Sequence, residues 1–527
     1  MNTQESNPSK KDIWLFWGCF IGLVATSFGF IVRAQVIGDW GVEFSLTETQ
    51  KGELLGVGLW PFCISIILFS LVVDKIGYGT SMMIAFALHA LSAIVTIFAN
   101  GYWMLYWGTF ILALGNGTVE AAINPIVATM FSKEKTKWLN ILHAGWPAGL
   151  VVGGMLAILM GPEVSWKWKV ALVLIPVIGY GVMLYGKEFP VQERVKAGVS
   201  FKDMLSEAGA VGFFLIFYTI LLEINRVAGL SPLVEGSFLS LPHISLTLLL
   251  VVFSVGYYLY TQSFGRPLFI LLLLLMVPLA TTELGTDSWI TELLVPFLGD
   301  NAGWVVVYTA LIMTVLRFYA GPIVHRISPL GLLAVSSAIA LIGLVILSTA
   351  TGFMIFIAAT IYGLGKTFFW PTMLGVAGER FPKGGALTLN AITGVGMLTA
   401  GLFGVVFLGN IQDKQIDREL QKQNPAIHAK AMGNEKASIF GKYKPLDHKK
   451  VSDLSSTDKA IISEVQTTSK QSALSTVAIF PGIMLISYLG MIFYFRSRGG
   501  YKPIELSEEN SSTSQSKISS EEDDSEK

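Results

Sequence analysis

A carboxylate, Glu120, stands in the stretch from Leu114 to Pro125, inside a long apolar run. Asn116 lies four residues before it and Asn124 four residues after it. On a helix, positions i, i+4 and i+8 fall on nearly one face. Three polar side chains therefore line one stripe of an otherwise apolar helix. An ionisable group at bilayer depth costs a few kcal/mol or more, and its default reading is a functional site facing a cavity. Two chemistries suit Glu120. It is a proton carrier alternately exposed to the two sides, or a structural carboxylate satisfied by Arg33, His143 or a neighbouring helix. Asn116 and Asn124 suit hydrogen bonds to sugar hydroxyls or bonds between helices. Arg33, near the outer part of the first apolar run, has three readings: a partner for Glu120, a binder of an anionic substrate, or a cation snorkelling to the interface. Asn140 and His143 share a face at i, i+3, with Trp146 following, so they form either a binding patch or a packed, hydrogen-bonded group.

A second polar group lies later in the chain. Glu283 and Asp287 are spaced i, i+4, and two acids on one stripe repel unless one is protonated or cations sit nearby. Lys366 and Arg317 are the candidate partners. Tyr362, Lys366 and Trp370 form an i, i+4, i+8 stripe in which an aromatic ring beside a polar group suits stacking on a sugar, although such rings also pack bundles. Asp74, Lys75, His325 and Arg326 follow apolar runs at their cytoplasmic ends, where a charge network can latch the inward-closed state. A gating role without substrate contact is expected for these four.

These residues need a membrane scaffold. The chain has 527 residues, 52% hydrophobic and 14% charged, against about 25% charge in soluble domains. That excludes an ordinary soluble enzyme, and the net charge of zero offers no argument for nucleic acid. Cys19 and Cys63 both lie in apolar runs and read as small packing residues rather than a disulfide or metal site. About 20 apolar residues cross the hydrocarbon core. Six such runs occur at 13–36, 53–73, 80–99, 102–131, 138–160 and 167–186, two more at 208–226 and 241–261, and six at 266–297, 302–325, 330–350, 353–380, 385–409 and 474–496. The first run has no clean small-x-small cleavage site and reads as an uncleaved span.

The predicted organisation is a cytoplasmic N-terminal tail 1–12, a six-helix bundle 13–186, and a linker 187–265 carrying two additional spans. A second six-helix bundle, 266–497, follows with an extracytoplasmic insert 411–473, and a disordered acidic cytoplasmic tail 498–527 ends the chain. Fourteen spans put both termini on one side. Lysines and arginines collect in alternate loops, at Lys75, Lys133, Lys135, Lys137, Lys187, Arg194, Arg266, Arg326, Arg380 and Lys383, which predicts a cytoplasmic N-terminus.

The two halves echo each other. Residues 72–77 and 323–328 each follow the second run of a half; Gly115 and Gly117 match Gly363 and Gly365; Leu139-Asn140 matches Leu389-Asn390. The last match makes Asn390 a candidate substrate contact beside Asn140. Parallel six-helix halves related by an axis along the membrane normal are a transporter architecture, with the site between the halves near the midplane. Gly115-Asn116-Gly117 is not a phosphate loop, since no strand precedes it and no GKS/T follows.

Asp74-Lys75-Ile76-Gly77 resembles the short cytoplasmic-loop signature of the major facilitator superfamily, although Tyr78-Gly79-Thr80 lacks the usual basic residues. The stretch 115–125, followed by Leu139-Asn140, resembles the fucose–proton symporter group of sugar permeases. The resemblance implies an all-α polytopic membrane protein of two six-helix halves with pseudo-two-fold symmetry, here with two extra spans between them. It also implies a fourth-span glutamate that handles protons and sugar, matched by Glu120. The first-span acid that assists in that group has no counterpart at Val32-Arg33-Ala34-Gln35, so Glu283 or Asp287 would have to share the task, or Glu120 act alone.

The expected function is secondary transport of a small polar solute, a sugar or related metabolite, by alternating access with proton symport. The expected partners are the solute, a proton or in its place sodium, and the lipid bilayer. No cofactor, metal or nucleic acid is expected, and the protein is read as a monomer in the cell membrane. Transport of an organic anion, with Arg33, Arg317 or Lys366 holding the carboxylate, is the alternative, and a non-transporting sensor is a weaker one. A membrane-embedded transferase would need clustered acids or histidines at an interfacial loop, which the sequence lacks.

Overall fold

The computed structural model describes residues 10–46, 53–161, 163–228, 241–287, 290, 294, 298, 303–324, 326–438 and 441–506. Eleven helical segments are long and apolar enough to cross a bilayer, from Ile13–Glu43 to Ser456–Arg496, and Trp304–Phe318 is a shorter apolar helix. Two more apolar runs are helical but interrupted. Over its described residues, each of the fourteen runs expected from the sequence therefore falls mainly on helix. A bilayer core gives the backbone no water to bond, so each segment must satisfy its own amides, and the helix does this within one segment. Large apolar side chains such as Leu248, Val252, Phe253, Ile486 and Phe493 point outward, which is what a lipid-facing surface requires.

The interruptions have causes in the sequence. The run 353–380 is not one helix but two, Met354–Lys366 and Phe369–Arg380. Pro371 has no N–H for the carbonyl four residues back, and its ring crowds that carbonyl. The stripe expected over Tyr362, Lys366 and Trp370 is thus cut, with Trp370 on the second helix. The run that begins at Pro267 changes from α-helix to a π-turn at Thr281–Gly285, just after Pro278. A second π-turn, Ala400–Val405, follows Gly385–Thr399. The two π-turns pack on each other at Gly285 and Gly404, where a Cβ on Gly285 would lie 2.8 Å from the Gly404 Cα.

Two seams join the halves. Helix Trp60–Ile76 packs along Gly385–Thr399, while Lys135–His143 packs on Phe369–Arg380 and Gly145–Leu159 on Gly303–Phe318. The second seam closes tightly because Gly375 has no side chain: a Cβ there would lie 2.2 Å from Thr136 Oγ1. Between the halves, Phe201–Ala228 and Leu241–Thr261 pair with each other, and the first also packs on Gly385–Thr399. Residues 411–473 contain helices, a short hairpin of Lys436–Ser438 with Gly441–Tyr443, and a small core around Leu420, Ile427 and Ile462.

Candidate functional site

Glu120 lies in helix Tyr102–Met130 and is 3% exposed. Its carboxylate accepts from Asn124 Nδ2 at 3.4 Å, and Asn124 Oδ1 meets His143 Nε2 at 3.0 Å. No cation pairs with Glu120 among the described residues. Across the seam, Arg317 Nη2 donates to Glu283 Oε1 at 3.0 Å. Asp287 pairs with Lys366 Nζ, whose ammonium sits 5.0 Å above the Tyr362 ring. Glu120, His143 and Trp146 from one half and Glu283, Arg317, Trp370 and Met397 from the other line a single cavity of about 20 Å³. That is room for about one water, so the structure is closed around the site.

Prolines explain why these side chains are where they are. A proline within a helix leaves the carbonyl four residues earlier without its donor, and in a membrane a neighbouring helix or side chain, a water or a local change of helix type can make up for it. Pro125 frees Ala121 O, which accepts from Asn390 Nδ2 at 3.0 Å. Pro147 frees His143 O, which accepts from Arg317 Nη1 at 2.8 Å. Pro371 frees Thr367 O, which accepts from Arg317 Nε at 2.6 Å. Arg317 thus binds two released carbonyls and one carboxylate with a single guanidinium, and two of the three proline-released carbonyls are held from the opposite half. The planar fork of arginine suits this; a lysine ammonium would not reproduce it.

The other candidate residues divide. Asn140 donates to Thr136 O at 2.8 Å and to Thr372 Oγ1 at 3.3 Å. Asn140 and Asn390, matched in the internal repeat, each cross a seam to the opposite half. Asn116 turns away from the cavity to His89 Nε2 at 3.0 Å, and His89 Nδ1 meets the Tyr180 hydroxyl at 3.1 Å. Four residues at 3.6 per turn overshoot one turn by about 40°, so Asn116 and Asn124 diverge by about 80° and only Glu120 faces the cavity. Tyr362 is fully buried and donates to Thr282 O. Arg33 does not pair with Glu120. It is 4% exposed, stacks over Phe30 at 5.6 Å, and keeps a buried Nε without a partner. It lines a separate small cavity with Trp40, Ser92, Thr96 and Thr109.

At the loop ends, Asp74 pairs with Arg194, not with Lys75, which lies 5.8 Å over the Phe201 ring. Arg326 is exposed, and His325 lies outside the described residues. The contacts that bridge the halves here are Lys135 Nζ to Gly378 O at 3.2 Å and Thr136 Oγ1 to Glu379 Oε1, while Lys135 Nζ also meets Glu193 Oε2 of the linker at 2.6 Å. Tyr501 also donates to Glu379, at 2.8 Å. The sequence does not signal Thr136, Glu193 or Glu379, because they sit in charge-rich loop ends where any residue could be solvated. His89 was visible as a polar residue in an apolar run; that it meets Asn116 and Tyr180 was not.

Residues 15–299, more than half of the chain, match the family model of the Major Facilitator Superfamily. The chain belongs to that superfamily. It is therefore a multi-pass membrane protein with an all-α fold of two six-helix halves. The structure is similar to the proton:xylose symporter XylE of E. coli, with a TM-score of 0.60 at 14% identity over 91% of this chain and 97% of that one. It is also similar to FucP, the E. coli fucose:proton symporter, with a TM-score of 0.54 at 14% identity over 90% of this chain and 99% of that one. At such identities the likeness concerns the fold. Among curated relatives, the hexuronate transporter of Bacillus subtilis is 25% identical over 186 residues, 34% of this chain and 43% of that one. The chain spans about half or less of the length of the curated relatives it matches.

Proposed function

We propose that the protein moves a sugar or sugar acid across the cell membrane together with a proton, by alternating access to the cavity between its halves. The observation that carries this is Glu120. It is a buried carboxyl without a cation among the described residues, in a closed cavity, facing an intact Glu283–Arg317 pair of the other half. An unpaired charge in such a place is costly, so the cavity closes most easily over Glu120 with a proton aboard and opens to release it. Glu283 and Asp287 already have cations, so they set the field at the site while Glu120 carries the proton. Trp146 and Trp370 face each other's halves across the cavity and suit stacking on a sugar ring. Buried acceptors without a partner, Glu283 Oε2, Asn140 Oδ1 and Asn390 Oδ1, suit sugar hydroxyls. His143, Asn124 and Arg317 position these groups. The hexuronate relative supports a sugar or sugar acid.

Both termini are assigned to the cytoplasm, from the lysines and arginines of alternate loops. The halves are 13–186 and 266–497, and the working unit is a monomer. Asp74 with Arg194, and Lys135 and Thr136 with Glu193 and Glu379, hold the cytoplasmic side shut.

The test is uptake into proteoliposomes under an imposed proton gradient. Glu120→Gln should abolish accumulation against the gradient and keep solute exchange. Gradient-driven accumulation at the wild-type level in that variant overturns the role of Glu120. A purely anionic substrate is favoured by one observation, the buried Arg33 without a carboxylate partner among the described residues. Loss of sugar-acid uptake alone in Arg33→Gln would select that reading.

A further inference from the structure

At the loop end that carries Arg380 and Lys383, a cleft of about 1040 Å³ opens beside helices Pro267–Ala280 and Ile479–Arg496, outside the transport pathway. Five cations line it: Arg266, Arg380, Lys383, Arg498 and Lys502. One carboxylate lines it as well, Glu207, which is bonded to Arg266 at 3.2 Å. Two of the guanidiniums are held in place by aromatic rings. Arg380 lies 4.8 Å over Phe495 and donates to Lys502 O at 2.6 Å, and Arg498 lies 4.6 Å over Tyr494. Lys383 and Lys502 are exposed and have no carboxylate partner among the described residues. Below this basic rim the wall is apolar, formed by Leu268, Leu271, Met491 and Phe495 of the two membrane-spanning helices.

We propose that this cleft binds an anionic phospholipid of the adjoining leaflet, the headgroup phosphate between Arg380, Lys383, Arg498 and Lys502 and an acyl chain along Leu271 and Met491. Charge and shape both point to this occupant. A concentration of like charge with one paired acid attracts an anion. A basic pocket at the ends of membrane helices on the cytoplasmic side is the recognised setting for acidic headgroups. A free soluble anion would make no use of the apolar wall, and a soluble protein could not reach it. The leaflet is cytoplasmic if the orientation proposed above holds; the site itself depends only on the spanning helices. The lipid would tie the last spanning helix, and the segment 498–504 that follows it, to the first helix of the second half. Tyr501 in that segment holds Glu379 of the latch, so lipid occupancy would favour the latched state.

The experiment uses the purified full chain in detergent, titrated with phosphatidylglycerol, phosphatidylcholine or inorganic phosphate. It reads the thermal unfolding midpoint and lipid adducts by native mass spectrometry. Phosphatidylglycerol should raise the midpoint saturably and give a one-to-one adduct, while the other two should not. Each neutralised cation near a membrane surface weakens attraction about fivefold, so Lys383→Gln, Arg498→Gln and Lys502→Gln together should weaken binding well over tenfold. Should the triple variant fold poorly, the single charge reversal Lys383→Glu serves, with an expected loss of about tenfold or more. Deleting 507–527, which is rich in acids, should leave lipid binding unchanged or tighter. The proposal is overturned by equal lipid binding in wild type and variants, by an equal shift with phosphate alone, or by an adduct that appears only after the tail is deleted. None of these readouts depends on transport.

Discussion

The chemistry proposed for this protein is concentrated in two side chains of opposite character. Arg317 is fully engaged, with a carboxylate and two carbonyls around one buried guanidinium. Removing one partner of a buried ion pair typically costs about 3–5 kcal/mol. Arg317→Met should therefore lower the thermal unfolding midpoint strongly, and Arg317→Met with Glu283→Gln should recover part of the loss, because no uncompensated carboxylate remains. Arg317→Lys should not substitute well. Glu120 is the opposite case, with one weak partner and no cation among the described residues. Glu120→Gln should fold normally while losing coupled accumulation, a pairing of results that unfolding and uptake measurements together would show. Tyr501 tests the latch through pH. Burial, and then the Glu379 carboxylate that its hydroxyl bonds, hold the phenol well above its usual range. A raised phenol contributes stability that is fully present below its unfolded value of about 10 and fades as pH rises through the folded value. Hydrogen exchange of residues 498–504 should thus be flat from pH 6 to 10 once corrected for intrinsic rate, with release only above that; Tyr501→Phe should abolish the alkaline step.

At the scale of elements, helix breaks do the positioning. Pro125, Pro147 and Pro371 each release a carbonyl, and each carbonyl is bonded by Asn390 or Arg317. Pro147→Ala would return a helical donor to His143 O and compete with Arg317 for it. The two sites are then coupled, so the losses from Pro147→Ala and Arg317→Met should be non-additive by about 0.5–3 kcal/mol, read from a double-mutant cycle of unfolding. The π-turn holding Glu283 follows the same logic, since π-turns often mark functional sites. Its register depends on contact between Gly285 and Gly404. Gly285→Val would force these backbones apart and should reduce uptake while leaving the insert 411–473, which has its own core, folded by circular dichroism and limited proteolysis.

At the scale of the whole molecule, the described state is closed at the centre and latched at the loop ends that bear Lys135 and Glu379. Opening to that side must break the Thr136–Glu379 bond and separate Gly375 from Thr136. Glu379→Ala should shift the population toward the open form, about tenfold for each 1.4 kcal/mol of lost latch. A Thr129→Cys reporter, at a small cavity beside the latch, should then react faster with a membrane-impermeant thiol reagent. Cys19 and Cys63 are buried and free and should contribute little background. The side from which the reagent reaches Thr129→Cys also tests the cytoplasmic assignment of this face.

Hydropathy, charge placement and the repeated motifs were enough to predict the fourteen helical runs and the two-half architecture, because lipid demands long apolar helices and the repeat shows in short local patterns. The ionisable residues within those runs were equally legible as candidates, since a charge at bilayer depth needs a reason. Lys366 and Arg317 were also legible as the cations facing Glu283 and Asp287, but which takes which was not. That Lys366 takes Asp287, that Arg317 takes Glu283, and that Arg33 stands apart from Glu120 depends on which helices meet and at what rotation. The stripe from Asn116 to Asn124 illustrates the limit: spacing put three residues near one face, but the drift of a 3.6-residue turn sends Asn116 to His89 and leaves Glu120 as the one of the three that lines the cavity. The prolines were plain in the sequence, yet only the folded chain decides which side chain reaches each released carbonyl, because those bonds join residues from 50 to 269 positions apart.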